Sequence, residues 1–259
     1  MDATAASAEA ARKVVVRLDA IEQLYDQKIR ILGPLDLSVH EGEFVSIVGP
    51  SGCGKSTLLR IVAGVLRPTR GRVFLGERPL EGVNRSAALV FQSFALFPWL
   101  TVVDNVALGL EARGLGVHER LKKAEKYIDL VGLSGYERTY PKELSRGMKQ
   151  LVGLARALAV EPELLCMDEP FSALDVLTAR TMRDLVLDLW TSPEVMTKTI
   201  LLVTHSIEEA VSMSDRVVVM KANPGRIADT VDLSAVPRPR RPDAPPVREV
   251  VDRMYSLLA

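Results

Sequence analysis

Gly49-Pro50-Ser51-Gly52-Cys53-Gly54-Lys55-Ser56-Thr57 decides how the rest of the chain is read. Glycine, four free positions, then Gly-Lys-Ser/Thr is the spacing of a phosphate-binding loop, and its flanks suit it. Before it, Phe44-Val45-Ser46-Ile47-Val48 is an apolar run of the kind that forms a buried strand; after it, Leu58-Leu59-Arg60-Ile61-Val62-Ala63 reads as helix. A strand that turns through glycines into a helix gathers backbone N–H groups and a helix N-terminus around one point, and that point attracts phosphate. Lys55 is placed to reach β- and γ-phosphates, and the Ser56 hydroxyl to hold Mg²⁺. An ordinary Gly-rich turn has no need of this lysine and hydroxyl in this order. The stretch implies a bound nucleoside triphosphate.

Composition narrows the setting. A chain of 259 residues with 47% hydrophobic and 25% charged residues can bury a sizeable core. Lys+Arg and Asp+Glu both number 33, so no global basic field points to nucleic acid. The two cysteines, Cys53 and Cys166, have neither metal-ligand spacing nor a disulfide pattern, which suits a reducing cytosol. No run of about 18 apolar residues predicts a membrane span. Residues 1–12 are Ala-rich, lack a signal-peptide pattern, and are expected to be a disordered lead-in.

Along the chain, residues 14–18, 21–25 and 35–39 look like short strands before the first helix. Tyr25, at the end of one of them, reads first as a half-buried strand residue and second as a base-stacking platform. Residues 71–76 and 87–91 predict further strands, the latter delivering Gln92 at its end. On its own such a glutamine is a solvated loop residue; beside a phosphate site it can touch ligand. Phe94, Leu96, Phe97, Pro98, Trp99 and Leu100 crowd a loop-like segment that is either core or an apolar patch for a partner. Helical spacing over 117–131 and 148–159 predicts a helical insertion of about 93–160.

The apolar strand 163–167 then ends in Asp168-Glu169. In a phosphate-loop protein the first acid at such a strand end holds Mg²⁺ through water, and the second orients the attacking water. A helix over 176–190 and a strand over 199–203 follow, the strand ending in Thr204-His205. Of three histidines, His205 alone sits at a strand end, where it is placed for a γ-phosphate contact. Residues 216–220 predict another strand. Prolines and arginines across 237–246 predict an extended connector, and 248–258 a short docking helix.

Leu144-Ser145-Arg146-Gly147-Met148-Lys149-Gln150 precedes the strand bearing Asp168-Glu169, and Ser172-Ala173-Leu174-Asp175 follows it. With the phosphate loop, Gln92 and His205 in order, the chain resembles the ATP-binding subunit of an ABC transporter over about residues 14–235. The resemblance implies an α/β fold: a P-loop NTPase core with a mainly parallel sheet, an N-terminal antiparallel β subdomain and the inserted helical subdomain. It implies an ATPase domain at 13–235, then a connector and C-terminal helix at 236–259. It also implies roles for ATP and Mg²⁺. Tyr25 would stack on adenine; Gly49, Ser51, Gly52, Cys53, Gly54, Lys55, Ser56 and Thr57 would wrap the phosphates; Ser56, Gln92 and Asp168 would serve the metal. Glu169 would be the general base, assisted by Lys55 and His205. Ser145 and Gly147 would act across an interface on ATP held by a second ATPase subunit, identical or a close paralogue, and Asp175 would also bind the nucleotide.

Phe91-Gln92-Ser93-Phe94-Ala95-Leu96-Phe97-Pro98-Trp99-Leu100-Thr101-Val102 further resembles the importer branch for nitrate, sulfonate, taurine and bicarbonate. That implies transmembrane permease partners, an external solute-binding protein and a peripheral place on the cytoplasmic face of the inner membrane. Two positions depart from the family pattern: Arg146 stands for a glycine and Leu151 for an arginine. Two other readings stay open, a non-transporter ABC ATPase and a weakly hydrolysing regulatory subunit.

Overall fold

The computed structural model describes residues 12–26, 28–240 and 244–258. The expected lead-in, 1–12, lies outside them except for Arg12, as do residues 241–243 of the connector. In chain order the first elements are strands β1 (Val14–Tyr25), β2 (Ile29–His40) and β3 (Phe44–Val48), then helix α1 (Lys55–Val62). Strands β4 (Arg70–Leu75), β5 (Arg78–Pro79) and β6 (Ala87–Val90) precede helices α2 (Val102–Ala112), α3 (Val117–Leu130) and α4 (Arg146–Ala159). After β7 (Leu164–Asp168) and α5 (Val176–Thr191) come β8 (Thr199–Thr204), α6 (Ile207–Met213), β9 (Arg216–Lys221), β10 (Arg226–Asp232) and α7 (Pro245–Leu258).

The chain divides into two compact units, one made of the residues up to Arg85 together with those from Lys198 on, the other of Ser86–Thr197. In the first unit, β2, β1, β4 and β5 form an antiparallel sheet. Beside it in sequence, β3 pairs in parallel with both β8 and β9, and β10 closes onto β9 antiparallel. All five residues of β3 and all six of β8 are buried, as expected of parallel strands covered on both faces. The α/β class and the N-terminal antiparallel sheet expected from the sequence are both present.

Two strands expected at 14–18 and 21–25 are one. Ala20 takes a left-handed φ of 47°, the pairing register shifts between Leu18 and Ile21, and the Ala20 N–H leaves the ladder for Asp36 Oδ1 at 2.7 Å. This is a bulge, which bends a strand without ending it.

The end of this unit is anchored rather than tethered. Arg238 donates to Asp215 Oδ1 and to the Met213 carbonyl, at 2.8 and 2.7 Å. Arg240 is buried, and its guanidinium gathers the carbonyls of Val236 and Leu233 at 2.8 Å each, of Val211 at 3.2 Å, and of Ser214. Burial, then the neighbouring Arg238 charge, lowers its pKa to about 10. Beyond it, Val247 and Met254 of α7 bury against Ile207, Ala210 and Val211 of α6.

In the second unit β6 and β7 run parallel, and α2, α3 and α4 pack on one another. The loop-like segment of residues 94–100 is followed at once by helix α2, from Val102, which the sequence had not marked out separately. Thr101 caps that helix by accepting the Asp104 N–H at 3.3 Å. Among the described residues no helix is long and apolar enough to cross a membrane.

Candidate functional site

The first unit carries the phosphate loop. Strand β3 ends at Val48, and α1 starts at Lys55 behind Gly54, whose φ of 95° only glycine adopts without strain. Leu58 N–H donates to the Gly54 carbonyl at 2.8 Å in the first turn of α1, and Cys53 N–H to the Pro50 carbonyl at 3.3 Å within the loop. Lys55 has a buried stem, and its Nζ donates to the carbonyls of Gly49 and Pro50 at 2.8 and 3.2 Å, so its charge stands at the loop itself. Ser56 and Thr57 are half-buried on the first turn, and Ser51 and Gly52 are exposed. The Cys53 side chain is buried, and burial raises its thiol pKa against the pull of Lys55. Cys53 thus serves the loop through its backbone, with its sulfur as packing. Cys166, in β7 of the second unit, is likewise an inert thiol, its pKa pushed up to about 12 by burial.

Strand pairing sets His205 beside this loop. Val48, the last residue before the loop, pairs in register with Thr204, the last before His205. Thr204 Oγ1 donates to Glu209 Oε2 at 2.7 Å, and Ser206 caps α6 by accepting the Glu209 N–H at 3.1 Å. The exposed His205 is therefore flanked by two anchored residues. Tyr25 ends β1 and is 60% exposed, which corrects the half-buried reading and leaves its ring face available. Its hairpin reaches the phosphate loop through Leu32, whose Cδ1 would lie 2.9 Å from a Cβ placed on Gly54.

The second unit carries the acids and the helix N-termini. Asp168 and Glu169 are half-buried at the end of β7, and Glu169 has a left-handed φ of 46°. Its carbonyl accepts the Ser172 hydroxyl at 2.9 Å, and Ser172 Oγ accepts Gln92 Nε2 at 3.0 Å. Gln92 and Glu169 are joined through a residue the sequence reading gave no role.

Ser145 caps α4, accepting the Met148 N–H at 3.2 Å, and Asp175 caps α5, accepting the Thr178 N–H at 3.1 Å and its hydroxyl at 2.6 Å. Those Thr178 bonds hold the Asp175 carboxyl below its ordinary pKa. The two caps approach each other: a Cβ on Gly147 would stand 2.7 Å from Thr178 Cγ2. Arg146 is exposed at the first helical position of α4 and is not left-handed, so its side chain imposes no backbone strain.

The aromatic segment resolves in favour of the surface. Phe97 and Trp99 are 36% and 69% exposed and meet edge to face with centroids 5.4 Å apart. Buried Asn105 donates to the carbonyls of Phe97, Leu100 and Thr101 at 2.9–3.2 Å and accepts the Phe97 N–H. Arg156 donates to the carbonyls of Phe94 and Ala95 at 3.2 and 2.7 Å, satisfying two consecutive left-handed residues. An amide reading four backbone groups, and a guanidinium reading two more, make a rigid display.

The family described as ABC transporter matches residues 32–172, more than half of the chain. The chain belongs to the ABC transporter family. The taurine import ATP-binding protein of Pseudomonas aeruginosa is 50% identical over 201 residues, covering 78% of this chain and 75% of that one. The aliphatic sulfonates import ATP-binding protein of Bacillus licheniformis is 41% identical, covering 84% of this chain and 83% of that one. The nitrate import ATP-binding protein of a Synechocystis strain is 44% identical, covering 74% and 71%. A solved ATP-binding cassette, dimeric in a post-hydrolysis state and bound to ADP and Pi, has a TM-score of 0.73 at 32% identity, covering 84% of this chain and 98% of that one. This ABC transporter subunit binds ATP and hydrolyses it.

Proposed function

We propose that this ATPase is the motor of an importer for a small anion of the nitrate, sulfonate, taurine or bicarbonate class. It works at the cytoplasmic face of the inner membrane, on transmembrane permease subunits fed by an external solute-binding protein. The observation that carries the coupling is the display of Phe97 and Trp99 on a backbone fixed by Asn105 and Arg156, a few residues after Gln92. Exposed aromatics on a rigid frame are the usual anchors of an interface.

For the chemistry, the turn from Gly49 to Thr57 wraps the phosphates, Lys55 neutralises the charge that develops on them, and Tyr25 stacks on adenine. Oxygen donors suit Mg²⁺: the Ser56 hydroxyl, the Asp168 carboxylate and Gln92 Oε1, whose neighbouring Nε2 is committed to Ser172. Bound there, Mg²⁺ would neutralise phosphate charge. Glu169 takes the proton of the attacking water as its oxygen bonds to the γ-phosphorus and the bond to the β-phosphate oxygen breaks. His205 holds the γ-phosphate. Ser145 and Gly147, with the Asp175 turn, close on ATP bound by a second ATPase subunit, so that hydrolysis is tied to closure.

The test is reconstitution. The chain co-expressed with candidate permease subunits from its own genome should co-purify in membranes and drive ATP-dependent uptake of one of the four anions into vesicles. Turnover without membrane association would make it a non-transporter ATPase; ATP binding without turnover would make it a regulatory subunit.

A further inference from the structure

Glu169 sits in a conformation that a residue with a side chain takes only when its surroundings enforce it. At φ 46° its backbone carbonyl is turned toward Ser172, which donates to it twice, from N–H at 3.3 Å and from Oγ at 2.9 Å. A hydroxyl has one proton, and this one is spent on the Glu169 carbonyl. Ser172 Oγ can therefore meet Gln92 only as an acceptor, so the amide presents Nε2 to it, at 3.0 Å. The opposite end of the same amide, Oε1, is left to face elsewhere. Only that oxygen can bind a hard cation or accept from water.

We propose that Ser172 is a positioning residue for hydrolysis: its single hydroxyl selects which end of the Gln92 amide is offered to the metal and holds the left-handed turn that aims Glu169. The two candidate groups, 80 positions from Ser172 in one case and three in the other, are thereby coupled. A shift of Gln92 strains the Ser172 hydroxyl, and a reorientation of the Glu169 turn releases Gln92. The inference rests on the roles proposed above for Gln92 and Glu169.

Ser172 is exposed, so removing its hydroxyl leaves no cavity in the core. Ser172→Ala should keep ATP affinity within about twofold and lower kcat on the order of tenfold or more, with a higher Mg²⁺ concentration needed for half-maximal rate. Ser172→Thr, which keeps the hydroxyl, should recover most of the rate. In the chain without nucleotide, amide hydrogen exchange at residues 171–173 should speed up in Ser172→Ala and not in Ser172→Thr. The Mg²⁺ defects of Gln92→Ala and Ser172→Ala should not add in the double variant. Glu169→Gln, measured alongside, separates the two readings. If that variant keeps its turnover, the role of Glu169 falls. If it is inactive while Ser172→Ala shows wild-type turnover, Mg²⁺ dependence and exchange, the positioning role of Ser172 falls alone. An equal loss in Ser172→Ala and Ser172→Thr also overturns it.

Discussion

Asn105 reads both backbone groups of Phe97: its Oδ1 accepts the N–H at 2.9 Å and its Nδ2 donates to the carbonyl at 3.2 Å. A β-strand partner would make the same pair of bonds, but here one buried side chain does so and holds an aromatic residue at the surface. Asn105→Ala should therefore cost on the order of 1–3 kcal/mol in a urea melt, because buried backbone groups lose their partners. It should also weaken permease assembly. Trp99→Ala should weaken assembly without lowering stability or ATP affinity, read by membrane co-purification and nucleotide titration. A melting loss in Trp99→Ala as large as that in Asn105→Ala would place the ring in the fold instead.

Glu169→Gln keeps the size of the side chain and removes its basicity. Turnover should drop by roughly 10²–10⁴, the usual worth of a general base. MgATP binding should be unchanged, and a dimer should accumulate in MgATP, visible by gel filtration. Near-normal turnover would move the base elsewhere.

Arg146 is exposed at the head of α4 with ordinary helical backbone, so the signature donors beside it are undisturbed. Its cation opposes the local helix dipole but favours a nearby triphosphate. Arg146→Gly should change turnover by less than about tenfold, equivalent to about 1.4 kcal/mol of barrier. Steady-state ATPase measurements check it. A large gain would mark the native site as degenerate.

Gly147 has no room for a methyl group, because Thr178 Cγ2 would lie 2.7 Å away. Gly147→Ala should depress ATPase activity by prying α4 from α5. The second substitution Thr178→Ser, which removes that methyl and keeps the hydroxyl bonded to Asp175, should restore much of it. Absence of rescue would show that the loss arises at the bound nucleotide rather than inside the subunit.

Arg240 satisfies four carbonyls with one planar group, which the point charge of lysine cannot copy. Arg240→Lys should lower stability by about 1–3 kcal/mol. The same melt on Arg248→Lys, an exposed residue of α7, should show almost none of that loss.

Much of the first unit could be read directly from sequence, because β3 and β8 are buried on both faces and need unbroken apolar runs. The phosphate loop was equally legible, since Gly52 and Gly54 are demanded by left-handed backbone and Gly49 by the Met220 carbonyl, which an added Cβ would meet at 2.6 Å. Helix α2 was obscured by the aromatics before it, although Thr101 and Asp104 at cap spacing announced its start. Ser206 and Glu209 announced α6 in the same way. Tyr25 read as half-buried because β-strand patterns do not reveal that a hairpin tip projects beyond its sheet. The Gln92–Ser172 bond had no local signal at all: the two lie 80 residues apart, and only the parallel pairing of β6 with β7 sets the loops that carry them side by side.

The pairing of Val48 with Thr204 makes the phosphate loop and His205 neighbours by register alone. An extra residue inside β8 would carry His205 about 3.3 Å along the sheet and turn it to the opposite face. Deleting one would carry it as far the other way and also turn it over. In the turn of half-buried Gly76 and exposed Glu77, between β4 and β5, one more residue would displace nothing that bears on phosphate. Chain length is thus fixed within β8 and free in that turn, and engineered tags or sensor domains belong in the turn.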